Sequence, residues 1–90
     1  MKLVFAPLAW VDYLFWQETD PALCRRINDL IKDVSRSPVN GIGKPEPLAG
    51  NLRGWWSRRI TREHRLVYRV TGTAPDQALE IAMCRFHYGA

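Results

Sequence analysis

Only two cysteines, Cys24 and Cys84, occur in the 90-residue chain, and they stand far apart. That count excludes a disulfide framework and the paired-cysteine spacing of a structural zinc site, so buried free thiols in a reducing compartment are expected. No apolar run approaches the ~20 residues that a membrane-crossing helix needs. The start, Met1-Lys2-Leu3-Val4-Phe5, has no signal-peptide form and runs straight into amphipathic sequence. The expectation is a soluble, cytoplasmic chain without a membrane partner. Internal repeats and low-complexity segments are absent as well. Acidic residues are the scarcer charge, nine against 13 basic ones, for a formal net charge of +4.

What the chain does have is apolar bulk: 47% of its residues are hydrophobic and four are Trp. A single domain over residues 1–90 can therefore build a core without staples, burying roughly two-thirds of the unfolded chain's surface. The charge is placed unevenly. Residues 1–24 set Lys2 against Asp12, Glu18 and Asp20, whereas residues 44–69 set Lys44 and six Arg against Glu46 and Glu63. Arginine forks onto phosphate oxygens better than lysine, so this basic stretch points to a polyanionic partner.

The pattern predicts a strand at Lys2–Phe5, then a helix at about Leu8–Thr19 entered through Pro7. Leu8, Val11 and Phe15 recur at helical spacing, and Trp10, Tyr13, Leu14 and Trp16 make that helix apolar on more than one side. So wide an apolar surface predicts packing on both the sheet and a second helix. Asp20-Pro21 starts the second helix, whose stripe is Leu23, Ile27, Leu30, Ile31 and Val34, and Ser37-Pro38 ends it. Residues 38–54, rich in Gly and Pro, read as one long loop. Trp55–Ile60, His64–Thr71 and Leu79–Cys84 read as three antiparallel strands. Alternation places Leu66, Tyr68 and Val70 on one face of the middle strand and Arg65, Val67 and Arg69 on the other. Leu79, Ile81 and Met83 share a face of the last. The sum is an α+β domain of order βααβββ, with two helices packed on a mainly antiparallel sheet.

Three features carry chemistry. Lys44-Pro45-Glu46-Pro47 fixes a carboxylate between two proline rings that bias it to extended backbone. Arg65 sits on a strand, and His87-Tyr88 follows an apolar strand, where tails are poorly ordered unless tied down. A carboxylate, an arginine, a histidine and a tyrosine are the parts needed to cut RNA without a metal. One group takes the 2′-hydroxyl proton, one supports a crowded phosphorane and one protonates the leaving oxygen. Glu63 is a competing carboxylate, read as a surface partner for nearby arginines. His64, in register with Leu66 and Tyr68, reads as packed structure. Trp55 and Trp56 read as core or dimer-interface residues in preference to base-stacking platforms.

Several segments together resemble one family, the YoeB toxins of bacterial toxin–antitoxin modules. They are Leu3-Val4-Phe5, Trp16-Gln17-Glu18-Thr19-Asp20, Gly43-Lys44-Pro45-Glu46-Pro47-Leu48, Asn51-Leu52, Trp56-Ser57-Arg58-Arg59-Ile60-Thr61, Glu63-His64-Arg65-Leu66-Val67-Tyr68 and Cys84-Arg85-Phe86-His87-Tyr88. The resemblance implies the RelE-superfamily fold, similar to small microbial ribonucleases. It implies a ribosome-dependent endoribonuclease that cuts mRNA in the ribosomal A site, without metal or cofactor. By the same resemblance Glu46 is the general base, His87 the general acid, Arg65 the transition-state stabiliser and Tyr88 a substrate-positioning residue. From their charge, Lys44, Arg58 and Arg59 are candidate contacts for RNA or ribosomal phosphates, with a merely solvated role as the alternative, particularly for Arg58 and Arg59. The implied partners are mRNA on the ribosome, a YefM-type antitoxin, operator DNA only within the toxin–antitoxin complex, and a second copy of the chain as a homodimer. Ala49-Gly50 stand where familiar members often carry basic residues, and Gly89-Ala90 extend past the His-Tyr pair. The competing expectation is a non-cleaving ribosome- or RNA-binding protein, or a corepressor acting with its antitoxin.

Overall fold

The computed structural model describes residues 1–87, so Tyr88 and the Gly89-Ala90 extension lie outside the described residues. Strand β1 (Lys2–Phe5) leads through Ala6 into helix α1 (Pro7–Thr19), with Pro7 in the first turn, where its missing N–H costs nothing. Helix α2 (Pro21–Arg36) follows at once. Asp20 caps it by accepting from the Leu23 N–H at 3.1 Å. α2 buries Cys24, Ile27, Leu30 and Val34, one clean stripe, and stops at Ser37 before Pro38.

Four more strands complete the sheet: β2 (Glu46–Pro47), β3 (Trp56–Arg59), β4 (Arg65–Thr71) and β5 (Ala78–Met83). Their spatial order is β1-β5-β4-β3-β2, with β1 parallel to β5 and the other pairs antiparallel. Both helices pack on one face, where Ala9, Trp16, Ile27, Leu30 and Val34 meet Leu66, Tyr68, Leu79 and Ile81. The α+β architecture matches expectation, with one strand added. The supposed long loop contains β2 and a single 3-10 turn at Gly50–Leu52, so Glu46 belongs to the sheet.

Two pattern readings are corrected. In α1 the buried residues are Ala9, Asp12 and Trp16, whereas Leu8, Trp10, Val11 and Leu14 remain exposed. Because this helix is apolar on every side, periodicity could not identify which side the sheet would cover. Met83 does not share the face of Leu79 and Ile81. The β4–β5 register pairs Tyr68 with Ile81 but Val67 with Met83, a bulge that leaves Ala82 unopposed. The extra residue turns Met83 to the face of Val67 and swings Cys84 into the core, where it is fully buried.

Candidate active site

The sheet face turned away from the helices carries the polar residues. Residues directly opposite in an antiparallel pair share a face. Glu46 opposes Ser57, Ser57 opposes Val67, and Arg59 opposes Arg65, so Glu46, Ser57, Arg59, Arg65 and Val67 lie on this one face. From strand spacing and rise, the backbones of Glu46 and Arg65 are roughly 12 Å apart, two strands across and one pleat along. Two extended side chains and a phosphate span such a gap.

Glu46 is exposed, between Pro45 and Pro47 on the edge strand. What holds that edge is Arg58. Its side chain is fully buried. The guanidinium donates to Asp33, to the carbonyls of Ser37 (2.6 Å), Asn40 (2.9 Å) and Ile42 (2.9 Å), and to the Tyr68 hydroxyl (3.2 Å). Tyr68 in turn donates to the Pro38 carbonyl at 2.6 Å, and the Ile42 N–H donates to Asp33 at 3.0 Å. The segment 37–43 is thus wrapped around one cation. The hydrogen bond from Arg58, aided by that from Ile42, holds the Asp33 carboxyl below the usual carboxylate range, while burial pushes the Tyr68 phenol up. The wrap requires glycine: a Cβ on Gly41 (φ +122°) would fall 2.0 Å from Asp33 Oδ2, and one on Gly43 (φ +81°) 2.8 Å from Leu30 Cδ2. Arg58 therefore cannot serve as an RNA or ribosome contact, as its sequence neighbourhood implied; full burial among carbonyls makes it a structural residue. Lys44 and Arg59 are exposed.

Arg65 begins β4 and is buried. Its Nη1 donates to the carbonyls of Thr61 (2.8 Å), Arg62 (3.1 Å) and His64 (3.1 Å), closing the β3–β4 connection. Its own N–H donates to the Phe86 carbonyl at 3.0 Å. That bond brings the segment ending in exposed His87 alongside Arg65. Tyr88, the fourth expected site residue, falls outside the described residues.

Sequence reasoning missed what ties this segment down. The Cys84 N–H donates to Asp12 at 3.3 Å, and Trp16 Nε1 donates to the Cys84 carbonyl at 2.9 Å. Arg85 lays its guanidinium 3.7 Å from the centre of the Phe15 ring. Burial pushes the Asp12 carboxyl up, against the pull of the Cys84 N–H and Arg85. Burial also pushes the Cys84 thiol up to about 12. Further along the open face Arg69 covers the Trp55 ring at 4.3 Å and pairs with Glu80 at 2.7 Å. Trp56 packs against the core instead. Among the described residues no cluster of His, Cys, Asp and Glu could hold a metal ion, and no helix is long and apolar enough to cross a membrane. An apolar groove of about 510 Å³ lies on the helix side, lined by residues including Leu3, Phe5, Trp10 and Tyr13.

Comparison with known proteins gives this arrangement a class. Residues 5–88 match the profile of the YoeB-like toxin of bacterial type II toxin–antitoxin systems. Toxin YoeB of Escherichia coli K12 is 59% identical over 88 residues, covering 98% of this chain and 100% of that one. The solved YoeB/ParE toxin of Agrobacterium tumefaciens superposes with a TM-score of 0.96 at 57% identity, covering 98% of this chain and 100% of that one. YoeB of Staphylococcus aureus, 44% identical with 98% of each chain covered, superposes as a dimer (TM-score 0.88) and in a heterotetrameric complex with YefM (TM-score 0.86). Fold and matches define a small toxin of a type II toxin–antitoxin module. Within that class, the chain belongs to the YoeB-like toxin family.

Proposed function

We propose that this toxin is a metal-independent endoribonuclease that cleaves mRNA in the A site of the ribosome and so halts translation. The observation that carries the reading is the shared open face. Glu46 and Arg65 lie on it two strands apart, and the segment bearing His87 is bonded to the Arg65 backbone. RNA carries its own nucleophile, the 2′-hydroxyl. Glu46 accepts the proton from that hydroxyl, its oxygen attacks the adjacent phosphorus, and the bond from phosphorus to the 5′-oxygen breaks. His87 gives a proton to the leaving 5′-oxygen, so the products are a 2′,3′-cyclic phosphate and a 5′-hydroxyl. Arg65 stabilises the charge that builds on the non-bridging oxygens, and Tyr88 positions the substrate. Lys44 and Arg59, exposed and basic, contact RNA or ribosomal phosphates.

The same reading gives the toxin a cytoplasmic site of action, a homodimeric state and a YefM-type antitoxin, with operator DNA reached only in that complex. The assemblies of the Staphylococcus aureus relative support it, as do the exposed apolar residues Leu8, Trp10 and Val11. A second reading, a toxin that binds the ribosome or represses with its antitoxin but does not cut, draws on Ala49-Gly50, which put uncharged residues just after β2 and leave Arg53 as the one cation of that connection.

Primer extension on mRNA in programmed ribosomes decides between them, comparing wild type with Glu46→Ala and His87→Ala. Cut ends from the wild type that vanish in both variants support the nuclease. Ribosome stalling without cut ends selects the second reading, and full activity in His87→Ala removes that residue as the acid. Metal independence is tested separately on free RNA at high protein concentration, where EDTA should leave cleavage unchanged.

A further inference from the structure

We infer that His64 is a positioning residue: its Nδ1 lone pair holds the main chain of Phe86 and thereby aims His87 over Arg65. The catalytic consequence rests on the nuclease reading above; the clamp itself does not. The Phe86 N–H donates to His64 Nδ1 at 2.8 Å, and the Phe86 carbonyl accepts from the Arg65 N–H at 3.0 Å. Both main-chain groups of Phe86 are thus taken by two consecutive residues of the β4 entry. An amide donor needs a lone pair, so Nδ1 carries no proton and the neutral ring keeps its proton on Nε2.

The acceptor is held in place from every side. The His64 N–H donates to Thr61 Oγ1 at 3.2 Å, and its carbonyl accepts from Ile60 N–H (3.0 Å) and Arg65 Nη1 (3.1 Å). Its ring packs edge-on against Trp16, centroids 4.7 Å apart. Trp16 in turn holds the Cys84 carbonyl two residues before Phe86. What the clamp maintains is an unfavourable conformation: Phe86 has φ +65°, left-handed for a residue with a bulky side chain. Such a residue keeps that conformation only where its surroundings over-determine it. The next Cα along a trans peptide, about 3.8 Å on, is that of His87, so the turn at Phe86 sets where the imidazole starts.

Three variants separate acceptor from ring. His64→Phe keeps a flat ring against Trp16 and loses the lone pair. His64→Asn places Oδ1 where Nδ1 stood, and His64→Gln moves the acceptor outward to the Nε2 position. In the free toxin, exchange of the Phe86 amide should accelerate about 10-fold or more in His64→Phe and His64→Gln but stay slow in His64→Asn. In single-turnover cleavage on programmed ribosomes, the rate at saturation should fall about 10- to 100-fold in the first two, with the half-saturating concentration within about twofold. His64→Asn should recover most of that rate. A folded His64→Phe with an equally protected Phe86 amide, or with an undiminished saturated rate, overturns the inference. Should His64→Phe fail to fold, the contrast between His64→Gln and His64→Asn decides by the same criteria. A wild type that leaves mRNA intact removes the nuclease reading alone, because the exchange comparison still decides the clamp.

Discussion

The main-chain N–H of Arg65 donates to the carbonyl of Phe86 at 3.0 Å, so the segment before His87 and the start of β4 form one piece of backbone. Glu46 reaches the same face from the edge strand β2, two strands away, held by the loop around Arg58. The candidate base and the candidate acid therefore depend on different supports.

Arg65 has a structural task as well as its proposed chemical one. Arg65→Met should lower stability by about 1–3 kcal/mol, through three carbonyls that lose Nη1, and should slow cleavage by about 100- to 1,000-fold. Urea denaturation alongside single-turnover cleavage checks both. A rate loss that disappears once the folded fraction is corrected for would leave Arg65 with the structural task only.

The adjacent arginines of β3 should behave in opposite ways. Arg58→Met leaves five acceptors, the Asp33 carboxylate among them, without their donor and should cost about 3–5 kcal/mol of stability. Arg59→Met, on the exposed face, should change stability by no more than about 0.5 kcal/mol. Denaturant midpoints of the two variants give the comparison.

Acid should reveal two carboxyl groups shifted in opposite directions. Asp33 is held below its ordinary 3.8, so the stability it lends is full above that value and is lost as pH falls through the lower folded value. Asp12 is pushed above 3.8, so the fold binds more protons there than the unfolded chain, and stability declines as pH rises through that window. Unfolding midpoints across a pH series should show Asp12→Asn, which keeps an acceptor for the Cys84 N–H, removing that decline. Asp33→Asn should remove the loss at lower pH instead.

Neither thiol should react in the native state. Cys24 and Cys84 are free and buried, and Cys84, pushed up to about 12, carries almost no thiolate near neutrality. Labelling by an aromatic disulfide reagent should track global unfolding, measured by fluorescence in the same denaturant series. Rapid native labelling of Cys84 would contradict its burial.

The helices and three main strands were legible because apolar period and turn chemistry agree at Asp20-Pro21, Ser37-Pro38 and Thr61–Glu63. β2 was not, since two residues flanked by proline carry no period and become a strand only through pairing with Trp56 and Ser57. The alternation that places Trp56, Arg58 and Tyr68 toward the core was readable, but the partner that makes a buried guanidinium tolerable, Asp33, comes from α2. Glu46, Arg65 and His87 were reachable through residue chemistry and motif spacing. The ties of the last segment to Asp12, Trp16 and His64 were hidden, because they join residues more than 20 positions apart through single side-chain atoms.

The bonds from α1 to Cys84 set an order of events during synthesis. Trp16 and Asp12 are made early, while Cys84 and Phe86 follow every helix and strand described above. Until translation has passed them, the anchor points on α1 and at the entry of β4 have nothing to hold. These bonds therefore close only after the last residue of the sheet has been synthesised, and they join an early helix to a late segment.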